Sequence, residues 1–444
     1  MSPRLDDLDC MSARTQRPPG TVAIQAIWLY DRPVDLTALT SFHEMLCRGV
    51  LGRVVRASKL AAAGDRWTTD ARFAPMYIDM DPLPRAAVAE WIDARSQEQL
   101  HTYGGPAWLL SVAQLDDGGS VVSLLVSHTL ADALGLFAAV RSAINKNVQQ
   151  VGNCSRSPNE TLYREVRDAA LRLASIVPTV PAIIRYMKSI AHDPFTGTSA
   201  AGIVSSIDAQ EFPIELPMAI AVVSAADWRR TVQVHNGTGS ALAVAIMADL
   251  ATRLGRTDAD GLAWIAMPVS TRSLDSSSDL RGNALDTISI QLNRKAGPGS
   301  TLAAVRAEIK SKLKSRAADE RVRSQILSLL VSLPRSMVAR LLSRRRFNAI
   351  ITGCSYVYNS DTVLRCIDGD EAASFFVGLV EQDLRLVSRV CSIGGILHGT
   401  ILESEDTVWL QIHGFHPVNP MDSIGLRSMI GQILADHGLT ATFL

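Results

Sequence analysis

Hydrophobic and polar positions along the chain alternate between two periods. Thr21 to Tyr30, TVAIQAIWLY, is apolar, β-branched and aromatic and closes at Asp31-Arg32-Pro33, which predicts a strand. From Asp35 the period changes: Leu36, Leu39, Phe42, Leu46 and Val50 recur at three- and four-residue spacing, predicting a helix with Asp35 as its N-cap. Gly52 to Val55, Arg66 to Thr68 and Met76 to Met80 read as short strands. A second helix is expected over Leu83 to Leu100, stopped before the Gly104-Gly105-Pro106 turn. Trp108 to Leu115 and Ser120 to Val126 flank Asp116-Asp117-Gly118-Gly119, a hairpin signal, and the second of these strands delivers the chain to His128. Ala131 to Ile144 returns to helical spacing.

Gln149 to Pro158 is polar and reads as a linker, followed by helical stretches at Thr161 to Ile176 and Val180 to Ile190. From Ile203 the order of elements restarts. Ile220 to Val223 is strand-like, Ser224-Ala225-Ala226-Asp227 opens a helix, Ser240 to Leu254 is a small-residue helix suited to burial, and Leu262 to Pro268 is a strand. Leu302 to Arg346 is helical and basic; Asn348 to Val357, Ala372 to Val380, Leu386 to His398 and Thr407 to His413 read as strands before a last helix at Asp422 to His437. No short-period repeat is present. With 444 residues the chain exceeds what one core organises, so the expectation is an α/β (α+β) protein of two domains, 1–150 and 203–444, joined by a helical linker at 151–202.

Composition narrows the function classes. A hydrophobic share of 47%, a charged share of 20% and a formal net charge of zero carry no nucleic-acid footprint. Cys10, Cys47, Cys154, Cys354, Cys366 and Cys391 are scattered, without CxxC pairs or histidines at metal-ligand spacing, so neither zinc nor a disulfide framework is expected. Met1 to Gly20 is polar and lacks the apolar core of a secretory signal, and no apolar run reaches the roughly 18 residues that mark a membrane span. The expected compartment is the cytoplasm, with peripheral membrane contact left open, since that needs only an amphipathic or basic patch. The basic positions Lys310, Lys312, Lys314, Arg316 and Arg344 to Arg346 form either a solvated helix face or a surface for phosphate groups, a carrier protein or an anionic membrane.

Candidate chemistry centres on Ser127-His128-Thr129-Leu130-Ala131-Asp132. Acyl transfer from a thioester needs a base that takes the proton of the attacking group and returns it to the leaving thiolate, and one imidazole of near-neutral pKa serves both halves. His128 stands between a strand and a helix, where a side chain projects into a cleft, and Asp132 is placed to organise the turn by pairing with a basic residue elsewhere. Alone, an HxxxD spacing recurs by chance and a lone histidine is usually structural. Ile412-His413-Gly414-Phe415-His416-Pro417 lacks further ligands and reads as structural or surface, Cys354 as a buried thiol, and Trp67 and Trp108 as core aromatics.

Over nearly the whole chain the sequence resembles the condensation-domain-like, CoA-dependent acyltransferase superfamily, whose motif is HHxxxDG. It is most similar to bacterial wax ester synthase/diacylglycerol acyltransferases and polyketide-associated acyltransferases. The resemblance is carried by Val126 to Leu136, VSHTLADALGL, by Pro106-Ala107-Trp108 with the hairpin, by Asp35 to Arg56, and by Met267-Pro268-Val269-Ser270-Thr271-Arg272 followed by Gly282-Asn283. It implies two chloramphenicol-acetyltransferase-like domains, each a mixed sheet flanked by helices, with a channel between them. It also implies His128 and Asp132 as the catalytic pair and Arg272 as the partner of Asp132; backbone N–H groups near the motif, Ser127 or Asn283 are the candidates for oxyanion or substrate contacts. The implied substrates are a thioester donor, acyl-CoA or a carrier protein, and a hydroxylated lipid or secondary-metabolite acceptor, with no metal and no other cofactor. Three positions depart from the pattern: Ser127 replaces the first histidine, Ala133 follows Asp132 with the glycine delayed to Gly135, and Thr238-Gly239-Ser240-Ala241 replaces the Thr-x-Asn-Asp sequence of wax ester synthases. These departures leave two alternatives open, a non-catalytic binding or docking module and an amide-forming condensation enzyme.

Overall fold

The computed structural model describes residues 4–15, 22–69, 74–147, 158–181, 183–185, 216–272, 279–293, 302–334, 336–338, 351–382, 395–417 and 420–444. Arg344 to Arg346, most of the polar linker and the start of the strand expected at Leu386 lie outside the described residues.

In chain order the first half gives helix α1 (Asp7–Thr15), strand β1 (Val22–Tyr30), helix α2 (Leu36–Arg48), strands β2 (Arg53–Arg56), β3 (Arg66–Thr69) and β4 (Met76–Ile78), helix α3 (Val88–Ser96), strands β5 (Trp108–Gln114) and β6 (Ser120–Ser127), and helices α4 (Ala133–Ile144) and α5 (Pro158–Ile176). Asp35 caps α2 as expected, its carboxylate accepting the Thr37 and Ala38 N–H groups at 2.8 and 3.1 Å. The helix expected over Leu83 to Leu100 is shorter. Pro84 and a single 3-10 turn at Arg85–Ala87 hold back α3, which ends at Ser96.

The second half gives β7 (Met218–Ser224), α6 (Ala225–Val234), α7 (Gly239–Arg253), β8 (Leu262–Ser270), β9 (Leu285–Asn293), α8 (Leu302–Ser332), β10 (Ile351–Tyr358), β11 (Ser374–Glu381), β12 (Ile396–Glu403), β13 (Thr407–Phe415), α9 (Ser423–Asp436) and β14 (Ala441–Phe443). Two of these, β9 and β14, are strands that the sequence pattern did not predict, and β12 runs past His398, where the expected strand ends, to Glu403. In α7 nearly every residue from Ala241 to Ala251 is buried, because small side chains let the helix sit with no solvent face.

Two mixed sheets result, one of five strands in the order β11-β1-β6-β5-β4 and one of seven in the order β14-β7-β13-β12-β10-β8-β9. This is the expected α/β architecture of two mixed-sheet lobes flanked by helices. The pairing does not follow a contiguous division of the chain. β11, from within 203–444, crosses to the first sheet and lies antiparallel to β1, with Ala26 opposite Val377. The Leu379 backbone of β11 is in turn met by side chains of the other sheet: its N–H donates to Thr400 Oγ1 at 3.1 Å and its carbonyl lies 3.0 Å from His398 Nε2.

Helix α1 lies within the polar stretch Met1 to Gly20, where the sequence pattern predicts no element. Its inward face joins buried Cys10 and Ala13 to a set of polar contacts: Arg14 Nε donates to Asp65 Oδ2 at 3.2 Å, Tyr103 donates to the same oxygen at 2.8 Å, and Arg14 Nη1 reaches the Val331 carbonyl on α8. The helix thereby touches both halves of the chain.

Candidate active site

β6 ends at Ser127, and the next residues form a turn in which the Leu130 N–H donates to the Ser127 carbonyl at 2.9 Å. The chain then enters α4 at Ala133, two residues later than the apolar period suggests, because Asp132 caps the helix by accepting the Gly135 N–H at 2.7 Å. His128 is thus presented at the end of a central strand, half-buried, with its backbone N–H fixed to the Val22 carbonyl at 2.9 Å.

The segment preceding β9 closes on this turn from the other sheet. Asn283 Oδ1 lies 2.7 Å from His128 Nδ1, and Asn283 Nδ2 lies 2.7 Å from the His128 carbonyl. A carbonyl can only accept, so the amide nitrogen faces it and the amide oxygen must face the ring. That oxygen in turn requires the proton on Nδ1, which leaves the Nε2 lone pair as the basic site of the neutral ring.

Asp132 and Arg272 hold the two segments together. Arg272 Nε and Nη2 each lie 3.0 Å from the Asp132 carboxylate, at side-chain exposures of only 5% and 1%. Asp132 Oδ2 also accepts the Ala284 N–H at 2.8 Å, and Arg272 also donates to the carbonyls of Arg281 and Gly282 at 3.1 and 2.8 Å. The pair is buried and bidentate, with its remaining donors and acceptors met by backbone, the condition under which a buried ion pair holds a unique arrangement. The Asp132 N–H donates to the Gly282 carbonyl at 2.8 Å. A side chain at Gly282 would run into the Thr129 carbonyl, so only glycine permits this approach.

Of the residues singled out in the sequence, His128, Asp132, Arg272 and Asn283 meet in one cluster. Ser127 does not join them in the cleft: its hydroxyl is buried, 3.1 Å from Thr102 Oγ1 and 3.4 Å from the Thr129 N–H. Two members of the cluster carried no sequence signal. Asp9 of α1 is fully buried and accepts the N–H groups of Gly282 and Asn283 at 2.8 and 2.6 Å. Burial pushes its carboxyl up to about 6, against the lowering effect of those two hydrogen bonds and of Arg53. Arg53 of β2 lies over the Trp67 ring at 4.3 Å and donates to the carbonyls of Leu280 and Leu130 at 2.6 and 3.3 Å; burial draws its guanidinium down to about 10. Arg53 also lines a cavity of about 140 Å³ with Met45, Leu51, Leu130, Ala131 and Leu280, and His128 is not among the residues lining it.

The remaining candidates fall elsewhere. Thr238 caps α7, accepting the Ala241 N–H at 3.2 Å, and Gly239 lies against the Tyr356 hydroxyl, which donates to Glu403 at 2.5 Å. Tyr356 therefore fills the space beside that turn. His413 is buried and stacked on His398 with centroids 4.8 Å apart, and burial holds its ring well below the usual imidazole range. Cys354 is buried with its thiol pushed up to about 12, an inert state. On α8, Lys312 pairs with Glu308 at 3.5 Å and Arg316 with Asp286 of β9, so these basic positions serve helix and sheet contacts. Among the described residues no group of three or more His, Cys, Asp or Glu side chains is placed to hold a metal, and no helix is long and apolar enough to cross a membrane.

No protein-family model and no curated protein matches the chain. Solved structures do. The first condensation domain of the calcium-dependent antibiotic synthetase, in complex with a substrate analogue, aligns with a TM-score of 0.59 at 12% identity over 98% of this chain and 96% of that one. The wax ester synthase/diacylglycerol acyltransferase of Marinobacter aquaeolei VT8 aligns with a TM-score of 0.56 at 13% identity over 98% of both chains. A mutant starter condensation domain of rhizomide synthetase in complex with C8-CoA aligns with a TM-score of 0.55 at 13% identity, over 99% of this chain and 94% of that one. The chain therefore has the two-lobe, chloramphenicol-acetyltransferase-like fold of these structures. At these identities the likeness establishes the fold and does not choose between the ester-forming and condensation branches.

Proposed function

We propose that the protein is an acyltransferase in which His128 is the general base, and that the acceptor is an amine, giving an amide. The observation that carries this reading is the 2.7 Å contact between His128 Nδ1 and Asn283 Oδ1, which sets the ring in the tautomer with a basic Nε2. In the reaction, Nε2 takes a proton from the acceptor as its nitrogen attacks the thioester carbonyl. The tetrahedral intermediate collapses with breakage of the C–S bond, and the imidazolium returns its proton to the departing thiolate. Asp132 and Arg272 act on the turn that carries the ring and make no contact with the reacting atoms. The donor is acyl-CoA or a carrier-protein thioester, bound so that proximity and orientation supply much of the acceleration.

The amine replaces the hydroxyl acceptor expected from the sequence because the condensation domains of the rhizomide and calcium-dependent antibiotic synthetases share this fold over 98% of the chain. Ester formation stays as the second reading, favoured by the wax ester synthase aligned over 98% of both chains. The test supplies CoA and pantetheine thioesters with paired amine and alcohol acceptors, follows thiol release, and identifies products by mass spectrometry. Amide product abolished in His128→Ala supports the proposal, and ester product alone moves it to the second reading. Full turnover by His128→Ala would sink the catalytic assignment and leave the binding-module alternative.

A further inference from the structure

The Asp9 carboxylate is a second feature of this site, and an unusual one, because it buries a charge completely beside the catalytic turn. Its hydrogen bonds run to one segment only: Oδ2 accepts the Gly282 N–H at 2.8 Å, and Oδ1 accepts the Asn283 N–H at 2.6 Å and the Asn283 Nδ2 at 3.2 Å. The same Nδ2 also meets the His128 carbonyl at 2.7 Å, and the same amide meets the His128 ring. Carboxylate, amide and imidazole thus form one continuous line. Facing Asp9 are Arg53 from β2, Arg281 from the segment before β9 and Asp6 from just before α1, while His128, Asp132 and Arg272 stand around the turn beyond Asn283.

We propose that Asp9 is a positioning residue for His128, acting through Asn283: it locks the amide so that the ring proton stays on Nδ1, and its negative charge opposes the positive charge that arises when Nε2 takes the acceptor's proton. The proposal rests on the reading of His128 as the base. It is the arrangement of a carboxylate behind a catalytic histidine, with an amide interposed, and it makes α1 part of the catalytic apparatus. Asp9 exchanges no proton with substrate; the proton passes from acceptor nitrogen to Nε2 and from there to sulfur. A neutral group could accept the two backbone N–H groups equally well, so the desolvation that raises the Asp9 carboxyl to about 6 is a cost that the charge, and not the hydrogen bonds alone, would have to justify.

The experiment compares Asp9→Asn, Asn283→Ala, the double variant and His128→Ala by thiol release from a CoA thioester with a saturating amine acceptor. Asp9→Asn is expected to lower kcat about 10–100-fold with little change in the donor KM, the scale of a charge-assisted hydrogen bond. Because Asp9 acts through Asn283, the double variant should be no slower than Asn283→Ala alone. The acid limb of the wild-type profile should be steeper than a one-proton titration, and Asp9→Asn should return it to one proton. Wild-type kcat and profile in Asp9→Asn, with His128→Ala inactive, would overturn the proposal alone, as would multiplying losses in the double variant. Full activity of His128→Ala would overturn the underlying reading and the proposal with it. Should Asp9→Asn fail to fold, nitrogen NMR of the wild-type His128 ring decides: a proton on Nδ1 and a second inflection near pH 6 support the proposal, while a proton on Nε2 or a single inflection overturns it.

Discussion

Asn283 holds His128 at two points at once, its Oδ1 accepting from the ring Nδ1 at 2.7 Å and its Nδ2 donating to the backbone carbonyl at 2.7 Å. The two contacts use opposite ends of one amide, so ring orientation and backbone position are set together. Asn283→Ala is expected to lower kcat by about 10–100-fold while the donor KM moves little. Asn283→Asp should be no better, because it sets a carboxylate against that of Asp9 and loses the donor that reaches His128. Steady-state kinetics of both variants provide the check; wild-type kcat in either would remove Asn283 from the site.

Asp132 and Arg272 bolt the two sheets together at the motif turn, and the consequence is a stability effect. Asp132→Ala leaves the Arg272 guanidinium, only 5% exposed, without its carboxylate, an effect of about 3–5 kcal/mol for a broken buried pair. It also removes the N-cap of α4, worth about 1 kcal/mol. Asp132→Asn keeps the cap and should lose less. Urea unfolding with a lowered midpoint and unchanged slope is the expected result, and a wild-type midpoint for Asp132→Ala would show that the pair does not hold the turn. Arg272→Lys should not substitute, since a lysine cannot span both carboxylate oxygens and the carbonyls of Arg281 and Gly282.

The two glycines of the site should respond differently to a methyl group. At Gly282 the added carbon meets the Thr129 carbonyl, which belongs to the motif turn itself, so Gly282→Ala must displace the backbone next to His128. It should cost about 1–3 kcal/mol and most of the activity. At Gly135 the added carbon lies 2.6 Å from Arg272 Nη2, and the gain in helix propensity of about 1 kcal/mol offsets part of the clash. Gly135→Ala should therefore be the milder variant in both melting temperature and kcat. Equal losses in the two would mean that the guanidinium cannot shift at all.

These glycines also show what could be read from the chain. The delay of the glycine from the position after Asp132 to Gly135 departs from the motif; in the fold, Gly135 is the residue that lies against Arg272, and the Gly282-Asn283 pair is the surface that the motif turn touches. The strand-turn-helix around His128, the cap at Asp35 and the hairpin were legible because period and turn chemistry act over a few residues. The crossing of β11 to the first sheet was not, because strand partners are chosen by packing between distant segments. Helix α1 was missed for a different reason. Its inward face sets Asp9 and Arg14 beside the small Cys10 and Ala13, so the periodic signal of large apolar side chains is absent.

The same buried carboxylate makes a prediction for stability that is independent of activity. The folded state raises the Asp9 carboxyl from 3.8 to about 6, so between these values the native protein holds a proton that the unfolded chain has released. Stability rises with pH only where the unfolded state binds more protons, and here the native state binds more. The contribution of Asp9 is therefore fully present below about pH 4 and is lost as pH rises through about 6, a swing on the order of 3 kcal/mol. Asp9→Asn has no proton to lose, so the unfolding free energy of wild type minus that of the variant should fall between pH 4 and 6 and level off above. Other carboxylates titrate in the same range, and the subtraction cancels them. Parallel pH–stability curves for the two proteins would show that Asp9 ionises as an ordinary surface carboxylate, and would remove the charge from the line that ends at His128.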